Sequence, residues 1–394
     1  GNNDTSSIGS HIVEDGETPV DPIGQCFDPA TPINQIQGTT FTSPAVDETH
    51  IIEAVVTMLN GQSGFFAQEE ISDEDANSQT SEAIYVSFSG EQPQVGDLVR
   101  VMGRVEEKYG KTQLVVSDAP LLCGTAAVSA QTISLPFSSA EQQESLEGML
   151  VTFDTALTVT DTYYLGRYGE VTLSSERLYV PTNLHAPGSF EATMLAEINQ
   201  LNKLTLDDNI SGQNPADIIY PTGNLSAHNS LRLGDTVSNL AGVLDYSYGK
   251  YRLLPTVSPD IHFDNISTEF PQLSKAGNLR VASFNVLNYF NGDGNGEGFP
   301  TSRGADSLEE FNRQREKVLS ALTNMEADII GILEIENDGF GELSALQDLV
   351  NGLNERAPEG VHYNFVKPAT ELLGGDAIKV ALVYNELSVS EIGT

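Results

Sequence analysis

Short runs of apolar and β-branched residues, separated by Gly, Asn, Ser or Pro, follow Cys26 for about a hundred residues. Runs of about four to eight such residues with polar breaks are typical of β-strands. We predict strands at "THIIEAVVTML", "GFFAQEE", "EAIYVSFS", "DLVRVMGRVEEKYG" and "KTQLVVS". These strands predict a small β-domain over residues 26–125, and the polar residues 1–25 before it are expected to form a flexible acidic tail.

Part of this pattern is repeated further along the chain. The segment "VGDLVRVMGRVEEKYGKTQLV" from Val95 is echoed by "LGDTVSNLAGVLDYSYGKYRLL" from Leu233, with Gly-Asp, a second Gly and Tyr-Gly-Lys at matching places. Two β-barrels related by duplication explain the repeat, and the succession of strands and glycines resembles the OB-fold. The second barrel is predicted at 130–266, with an insertion at 183–230 that contains a helical segment.

The period of the apolar residues changes after a predicted linker at 267–278. "NLRVASFNVLNYF" predicts a strand, and Ser307 with Glu310 three residues later predicts the capped start of a helix. The strand "DIIGILEI", a second helix and two further strands follow. Residues 279–394 are therefore predicted to form an α/β unit whose first two strands are parallel.

Two polar side chains follow these parallel strands at the point where each strand ends. Asn285 lies near the carboxyl end of the first strand and Glu334 at that of the second. Neighbouring strands lie about 4.8 Å apart, so an amide oxygen and a carboxylate can meet over one point, which suits a hard divalent cation. The alternative is a strand that ends in solvent, where charged residues cost nothing.

The charge of the chain is strongly acidic, with 56 Asp and Glu against 19 Lys and Arg and a formal net charge of −37. Such a surface repels phosphate backbones, which excludes nucleic-acid binding driven by overall charge. An acidic protein can still act on a polyanion when divalent cations lie between the two.

The only cysteines, Cys26 and Cys123, flank one predicted domain, and a disulfide between them is expected. The alternative is two buried free thiols. We expect a secreted, extracellular protein whose signal peptide has been removed or lies outside this sequence. No apolar run reaches the roughly 18 residues that a membrane span needs.

Four ordered motifs in the last segment resemble the opening half of the endonuclease/exonuclease/phosphatase superfamily. They are "VASFNVLNYF", "RGAD" followed by "EFNRQREKV", "ADIIGILEIEND" and "DAIKVALVYN". The likeness is greatest to the large secreted bacterial nucleases with amino-terminal OB-like modules. It implies a multidomain chain with two OB-like β-barrels and the first half of an α/β domain of the four-layer sandwich type.

The resemblance also implies a site and an activity. Asn285 matches the superfamily's catalytic Asn and Glu334 its metal-binding Glu, which together hold Mg²⁺ or Mn²⁺. Leu333 stands where many members have Gln, and Glu336 and Asp338 are expected to be structural or to support the ligands. The activity implied is metal-assisted hydrolysis of a phosphodiester in nucleic acid, with DNA as the favoured substrate.

The superfamily's later motifs, a catalytic His or Tyr, Gly-Asp-x-Asn and Ser-Asp-His, are not found in this sequence. We therefore expect the chain alone to have little or no nuclease activity until a second polypeptide or a further C-terminal segment completes the domain. His362 is expected to be structural. The alternatives are a phosphatase or phosphodiesterase of the same superfamily and a non-catalytic surface or binding module.

Two further surfaces have candidate binding residues. OB-folds bind single strands through stacked aromatic rings and a basic groove, and Arg167, Tyr248, Lys250 and Arg252 are the candidates here. The alternative is that the barrels are spacers or docking modules.

Two acidic loops are considered for Ca²⁺. The loop "NGDGNGEG" has alternating oxygen ligands, so Ca²⁺ is a possible ligand there, although no acidic residue closes the loop. The loop "EEISDEDANSQTSE" is expected to be a solvated hairpin tip.

Overall fold

The structure, a computed structural model, describes residues 23–75, 77–210, 212–226, 229–264 and 277–392. The chain is a multidomain protein rich in β-sheet and divides into two compact units, residues 1–266 and 267–394. The described residues form three sheets. Most of the predicted tail, 1–25, and most of the predicted linker, 267–278, lie outside the described residues.

The first sheet contains six strands preceded by a short helix. The elements are α1 (Ile33–Gln37), β1 (Thr49–Leu59), β2 (Gly64–Gln68), β3 (Ala83–Ser87), β4 (Asp97–Lys108), β5 (Lys111–Val115) and β6 (Leu121–Thr125). The order is β1-β2-β3-β5-β4-β6, and β1 also pairs with β4. Five strands therefore close into a ring around a core that includes Ile52, Phe65 and Val101.

The predicted disulfide between Cys26 and Cys123 is confirmed, because the two sulfur atoms are bonded. It connects the segment before α1 to β6 across a sequence separation of 97 residues. The same segment is held by Arg100, whose guanidinium donates to the carbonyl oxygens of Ile23, Asp28 and Pro29. Residues 23–29 are thus fixed to the sheet by both covalent and hydrogen bonds.

The second sheet has nine described strands, with four described helices between them. The elements are β7 (Gln131–Ile133), α2 (Ala140–Glu144), β8 (Leu150–Phe153), β9 (Leu157–Asp161), α3 (Leu165–Tyr168), β10 (Val171–Ser174), α4 (Pro181–Leu184), α5 (Phe190–Leu201), β11 (Leu204–Leu206), β12 (Thr236–Ser238), β13 (Ala241–Ser247), β14 (Lys250–Pro255) and β15 (Asp260–His262). The strand order is β15-β12-β9-β10-β11-β14-β13-β8-β7. Helix α5 confirms the helical segment expected in the insertion.

The second sheet repeats the pairings of the first. The pair β8 and β9 takes the place of β1, and the pair β12 and β13 takes the place of β4. The parallel pair β3–β5 of the first sheet corresponds to the parallel pair β11–β14 of the second, which also has a parallel pair β7–β8 at its edge. Tyr109-Gly110 and Tyr248-Gly249 form equivalent hairpin turns in which all four residues have positive φ, as a type I′ turn requires. The sequence repeat is therefore also a repeat of strand pairing.

The described part of the unit formed by residues 267–394, which is 277–392, contains one four-stranded sheet and two helices. The elements are β16 (Val281–Tyr289), α6 (Leu308–Met325), β17 (Ile329–Glu336), α7 (Ala345–Arg356), β18 (Tyr363–Phe365) and β19 (Ile378–Asn385). The strand order is β16-β17-β19-β18, and β16 and β17 are parallel as predicted. The predicted cap of α6 is present, because the Ser307 hydroxyl accepts from the Glu310 N–H.

Helices α6 and α7 pack on one face of this sheet. Their apolar side chains form one core with Ile330, Ile332 and Ile335 of β17. The opposite face has large exposed aliphatic side chains on β16 and β19, with Val281 69%, Val380 61% and Leu382 44% exposed. Within this unit, no described element covers that face.

No helix in the described part of the chain has both the length and the hydrophobicity required to cross a bilayer.

Candidate metal and phosphate site

Asn285 and Glu334 come together at the carboxyl ends of β16 and β17. Asn285 pairs with Leu333 across the parallel strands, so Glu334 is one residue beyond the partner of Asn285. Pairing resumes only at Tyr289 and Ile335, which leaves three residues of β16 opposite one of β17. The adjacency predicted from the sequence is therefore present, within a local irregularity of both strands.

A bulge turns Glu334 away from the helix-covered face. Ile332 and Ile335 are both buried, and strict alternation would bury residue 334 rather than residue 335. The pairing of β17 with β19 shifts over the same stretch, between Ile332 and Ile335. Because a bulge inserts one extra residue, Leu333 and Glu334 both leave the buried face. Asn285 is exposed on that open side of the sheet.

Three residues at this end of the sheet have a left-handed backbone. The φ angles are 63° at Glu334, 55° at Leu287 and 50° at Asn288. A side chain with a Cβ costs about 1–2 kcal/mol in this conformation, and such residues cluster at ligand sites. The strain is concentrated where the two strands separate.

The Asn285 amide has a fixed orientation. Its Oδ1 accepts a hydrogen bond from the Leu287 N–H at 2.7 Å, which closes a tight local turn. An amide oxygen has two lone pairs, so this bond leaves one for a cation or a donor. Asn285 can thus supply an oriented oxygen beside the Glu334 carboxylate.

Asp338, predicted to be structural or supporting, holds the start of α7. Its Oδ2 accepts from the Ala345 N–H at 2.8 Å, and its Oδ1 is 3.5 Å from Lys379 Nζ. An acidic group at a helix amino terminus is favoured by the helix dipole. Asp338 therefore fixes the loop between β17 and α7.

Glu336 is half-buried beside this loop. Burial and repulsion from Asp338 raise the pKa of Glu336 to about 7, and the Asn291 N–H and Lys379 lower it by a smaller amount. Its Oε2 and the Oδ1 of the buried Asn291 are both enclosed and have no hydrogen-bond partner among the described residues. Glu334, Glu336 and Asp338 thus occupy three different environments within five residues of chain.

Lys379 is a buried cation that the sequence analysis did not identify. Its side chain is fully buried, with Nζ 4.4 Å from the centroid of the Phe340 ring, and burial lowers its pKa. Its position in "AIKVALVYN" is in phase with Ala381 and Val383, which face the helices. Alternate residues of a strand face the same side of the sheet, so this spacing could have predicted that Lys379 is buried with Ala381 and Val383.

A cavity of about 500 Å³ lies beside the same loop. It is lined by Gly292, Asp293, Asp338, Gly341, Glu342, Leu343 and Ser344. Asp293 Oδ1 accepts from the N–H groups of Asn295 and Glu297, and these bonds lower its pKa. The carboxylate considered for Ca²⁺ therefore closes its own glycine-rich loop.

His362 lies at the opposite end of the sheet. Its Nδ1 is 2.9 Å from Glu386 Oε1, and both residues lie next to Asn385, the last residue of β19. Since β19 is antiparallel to β17, its carboxyl end lies near Ile329 at the start of β17. His362 is thus separated from Asn285 and Glu334 by the length of the strands.

A separate acidic cluster lies in the first sheet. Glu69, Glu70 and Asp73 place ligand atoms within 4.8 Å of one another. Glu69 is buried and accepts from the Ile33 N–H at 2.9 Å, and burial raises its pKa to about 8. These residues belong to the loop that was expected to be a solvated hairpin tip, and their convergence was not predicted.

The four residues considered for nucleic-acid binding lie together in the second sheet. Arg252 is buried and binds Glu170 and Asp207, while Lys250 also binds Glu170. Arg167 is exposed and donates to Gln213. The structure therefore groups these residues, but carboxylates within the same sheet bind two of the three cations.

Comparisons with known proteins cover one part of the chain. Residues 136–263, which include β8 to β15, match a family described as "Domain of unknown function (DUF8508)". No curated protein matches the chain. The second sheet, with its tyrosines and ion pairs, thus resembles a family of domains whose function is not established.

Proposed function

We propose that residues 279–394 are the metal-binding part of a phosphodiesterase of the endonuclease/exonuclease/phosphatase type, acting on nucleic acid in an extracellular setting. The observation that carries the proposal is the adjacency of Asn285 and Glu334 at the carboxyl ends of two parallel strands. Open α/β sheets bind ligands at this edge. The strain at Glu334 and Leu287 supports a site there.

The donor set fits a hard cation. A carboxylate from Glu334 and an amide oxygen from Asn285 are the oxygen ligands that Mg²⁺ and Mn²⁺ prefer, with water and substrate phosphate completing the shell. When bound, the cation would polarise a phosphoryl oxygen and stabilise the charge of the leaving alkoxide. Glu334 and Asn285 would hold the cation between the protein and the substrate phosphate, which the acidic surface would otherwise repel.

Activation of water needs further groups. Among the described residues, His362 lies at the far end of the sheet, and the carboxylate of Asp338 is engaged by α7. The uncovered aliphatic face beside Val281 and Val380 favours a second layer that packs there and adds catalytic residues. We therefore propose that this chain alone hydrolyses nucleic acid weakly or not at all.

The two β-rich halves of the first unit are proposed to be OB-like barrels. Ring closure by the β1–β4 pair and the parallel β3–β5 pair support this assignment, and the second sheet repeats both features. The disulfide between Cys26 and Cys123 supports an oxidising, extracellular location.

The decisive experiment measures Mn²⁺ binding by electron paramagnetic resonance and then hydrolysis. We expect one Mn²⁺ site that Glu334→Gln abolishes and Asn285→Ala weakens. Glu386→Gln, at the other end of the same sheet, is the matched control and should retain the site. Mn²⁺ binding unchanged by Glu334→Gln would refute the proposal.

Substrate panels separate the related activities. Plasmid DNA, an inositol phosphate and p-nitrophenyl phosphate, each with Mg²⁺, test for nuclease, lipid-type phosphatase and simple monoesterase activity. Robust DNA cleavage that depends on Glu334 would show that the chain needs no additional groups. If no substrate is hydrolysed and no Mn²⁺ is bound, the non-catalytic binding module is the better account.

A further inference from the structure

Four tyrosines and three cations form a continuous band on the second sheet, which we call the tyrosine band. Its members are Tyr163, Tyr164, Tyr168, Tyr248, Arg167, Lys250 and Arg252. The ring centroid of Tyr164 is 5.0 Å from that of Tyr163 and 5.7 Å from that of Tyr168. These three rings are therefore packed side by side, and the buried Arg252 and the partly exposed Lys250 lie behind them on the shared carboxylate of Glu170.

Each cation of the band lies over a tyrosine ring. Lys250 Nζ is 5.3 Å from the centroid of Tyr164, and the Arg252 guanidinium is 5.1 Å from that of Tyr248. Arg167 lies at 5.3 Å from the centroid of Tyr168. These contacts favour the positions of the Tyr164, Tyr168 and Tyr248 rings, because a cation over an aromatic face is attracted to its quadrupole.

Two of the four rings are largely exposed to solvent, and Tyr164 is 44% exposed. Tyr163 is 81% exposed and Tyr248 is 89% exposed. Tyr248 stands at the tip of the β13–β14 hairpin with a φ of 52°, in a turn that Gly249 completes. Exposed tyrosine rings offer contact area to a ligand with little loss of side-chain entropy, because the side chain has only two rotatable angles.

The charges of the tyrosine band are balanced within the protein. Glu170 binds Lys250 and Arg252, and Asp207 also binds Arg252. Asp208 lies against Gly169, the residue before Glu170, and Asp161 accepts from the Tyr163 N–H at 2.8 Å. Three cations therefore stand beside four carboxylates, which is not the basic groove that a phosphate backbone requires.

We propose that the tyrosine band binds a neutral oligosaccharide. Pyranose rings combine an apolar face of C–H groups with hydroxyls at their edges, which suits aromatic rings that stand beside polar side chains. The rings of Tyr164 and Tyr248 would stack on sugar faces. Arg167 and Gln213, which are 3.1 Å apart at the surface, would bind sugar hydroxyls. This binding is independent of any hydrolysis by residues 279–394.

The first sheet supplies a matched control. Tyr109 occupies the same place in the same Tyr-Gly-Lys turn, with a φ of 57° and 89% exposure. Its Lys111, however, lies over the buried rings of Phe66 and Tyr85 and binds Asp245. Tyr109 is thus an exposed tyrosine of equal geometry outside the tyrosine band.

The test is isothermal titration of the whole chain with cellohexaose, maltohexaose and mannohexaose, and in parallel with single-stranded oligothymidylate. We expect at least one glycan to bind with an affinity that is insensitive to salt. Tyr164→Ala and Tyr248→Ala should each weaken it about tenfold, comparable to the loss of a stacking ring under a nucleobase. Tyr164→Phe and Tyr109→Ala should leave it unchanged. Thermal melts verify that each variant is folded.

Three outcomes would overturn the proposal. The first is that none of the glycans binds at millimolar concentration. The second is that oligothymidylate binds more tightly than any glycan, with an affinity that falls steeply with salt and is lost in Tyr164→Ala, which would assign the band to nucleic acid. The third is that Tyr109→Ala weakens glycan binding as much as Tyr248→Ala.

Discussion

The Glu334 carboxylate and the Asn285 amide are one register step apart on parallel neighbouring strands, because Asn285 pairs with Leu333. Glu334 reaches this position through a bulge and a left-handed backbone. Both features are unfavourable for a glutamate in a strand. If the carboxylate binds a cation, the local strain is the cost of turning it from the helix-covered face to the open face.

We predict that Glu334→Gly stabilises the unit while it removes the metal ligand. Glycine relieves about 1–2 kcal/mol of left-handed strain and costs about 0.5–1 kcal/mol through unfolded-state entropy. The net expectation is a gain of about 0.5–1 kcal/mol in the free energy of unfolding, measured by urea denaturation, together with the loss of Mn²⁺ binding.

Glu336→Gly is the control for that measurement. Glu336 lies in the same strand without a positive φ, so glycine there should destabilise by about 1 kcal/mol. A loss of stability in Glu334→Gly equal to that of the control would show that Glu334 is not strained.

Glu69 predicts a pH dependence of stability. Burial raises its pKa from 4.5 to about 8, with smaller contributions from Asp73, Glu70 and Glu82. Between these values the unfolded state ionises Glu69 while the folded state keeps it protonated. The stabilising contribution is therefore complete below about pH 4.5 and is lost as the pH rises towards about 8.

Glu69→Gln should remove this dependence, since the amide oxygen can still accept from the Ile33 N–H. The stability of the variant relative to the wild type should increase by up to about 1.4 kcal/mol per pH unit over that window. Urea midpoints at several pH values measure the difference. A difference between the two proteins that does not change with pH would contradict the expected burial of a neutral Glu69.

The α/β order of the last segment and the adjacency of Asn285 and Glu334 could be predicted, because strand direction and strand ends follow from the apolar pattern. The bulge could not be predicted. A bulge is often marked by Gly or Pro, but position 334 of the run "IIGILEIE" is a glutamate. Nothing in the sequence of apolar and polar residues indicates that its backbone is left-handed. Its conformation depends on the partners β16 and β19.

Ion pairs over long sequence separations were also beyond prediction. Arg252 was a candidate for a basic, nucleic-acid-binding groove, whereas Glu170, which binds it, lies 82 residues earlier. Pairing of β10 with β11 and of β11 with β14 brings Glu170 and Asp207 to Arg252, and its charge is then satisfied inside the protein. The repeat was visible in sequence because turns have local signatures, such as Tyr-Gly-Lys.

The two Tyr-Gly-Lys hairpins predict unequal effects of one substitution. The buried Asp245 forms an ion pair with Lys111. Glu170, in contrast, forms ion pairs with two cations, Lys250 and Arg252. Lys111→Met should cost about 3 kcal/mol because it leaves a buried carboxylate without its cation. Lys250→Met should cost about 1 kcal/mol or less, since Arg252 still neutralises Glu170. Equal losses in urea denaturation would show that the Lys111–Asp245 pair has no special role.

The disulfide predicts a large effect on stability without loss of the fold. Replacing both cysteines, Cys26→Ser with Cys123→Ser, removes a constraint that closes a loop of 97 residues. The chain-entropy relation gives a loss of about 4–5 kcal/mol in the free energy of unfolding. The circular dichroism spectrum should be retained, because Arg100 still holds residues 23–29 against the sheet. A reducing agent should lower the wild type to the level of the variant and leave the variant unchanged. If the variant is as stable as the oxidised wild type, the disulfide does not stabilise the first sheet.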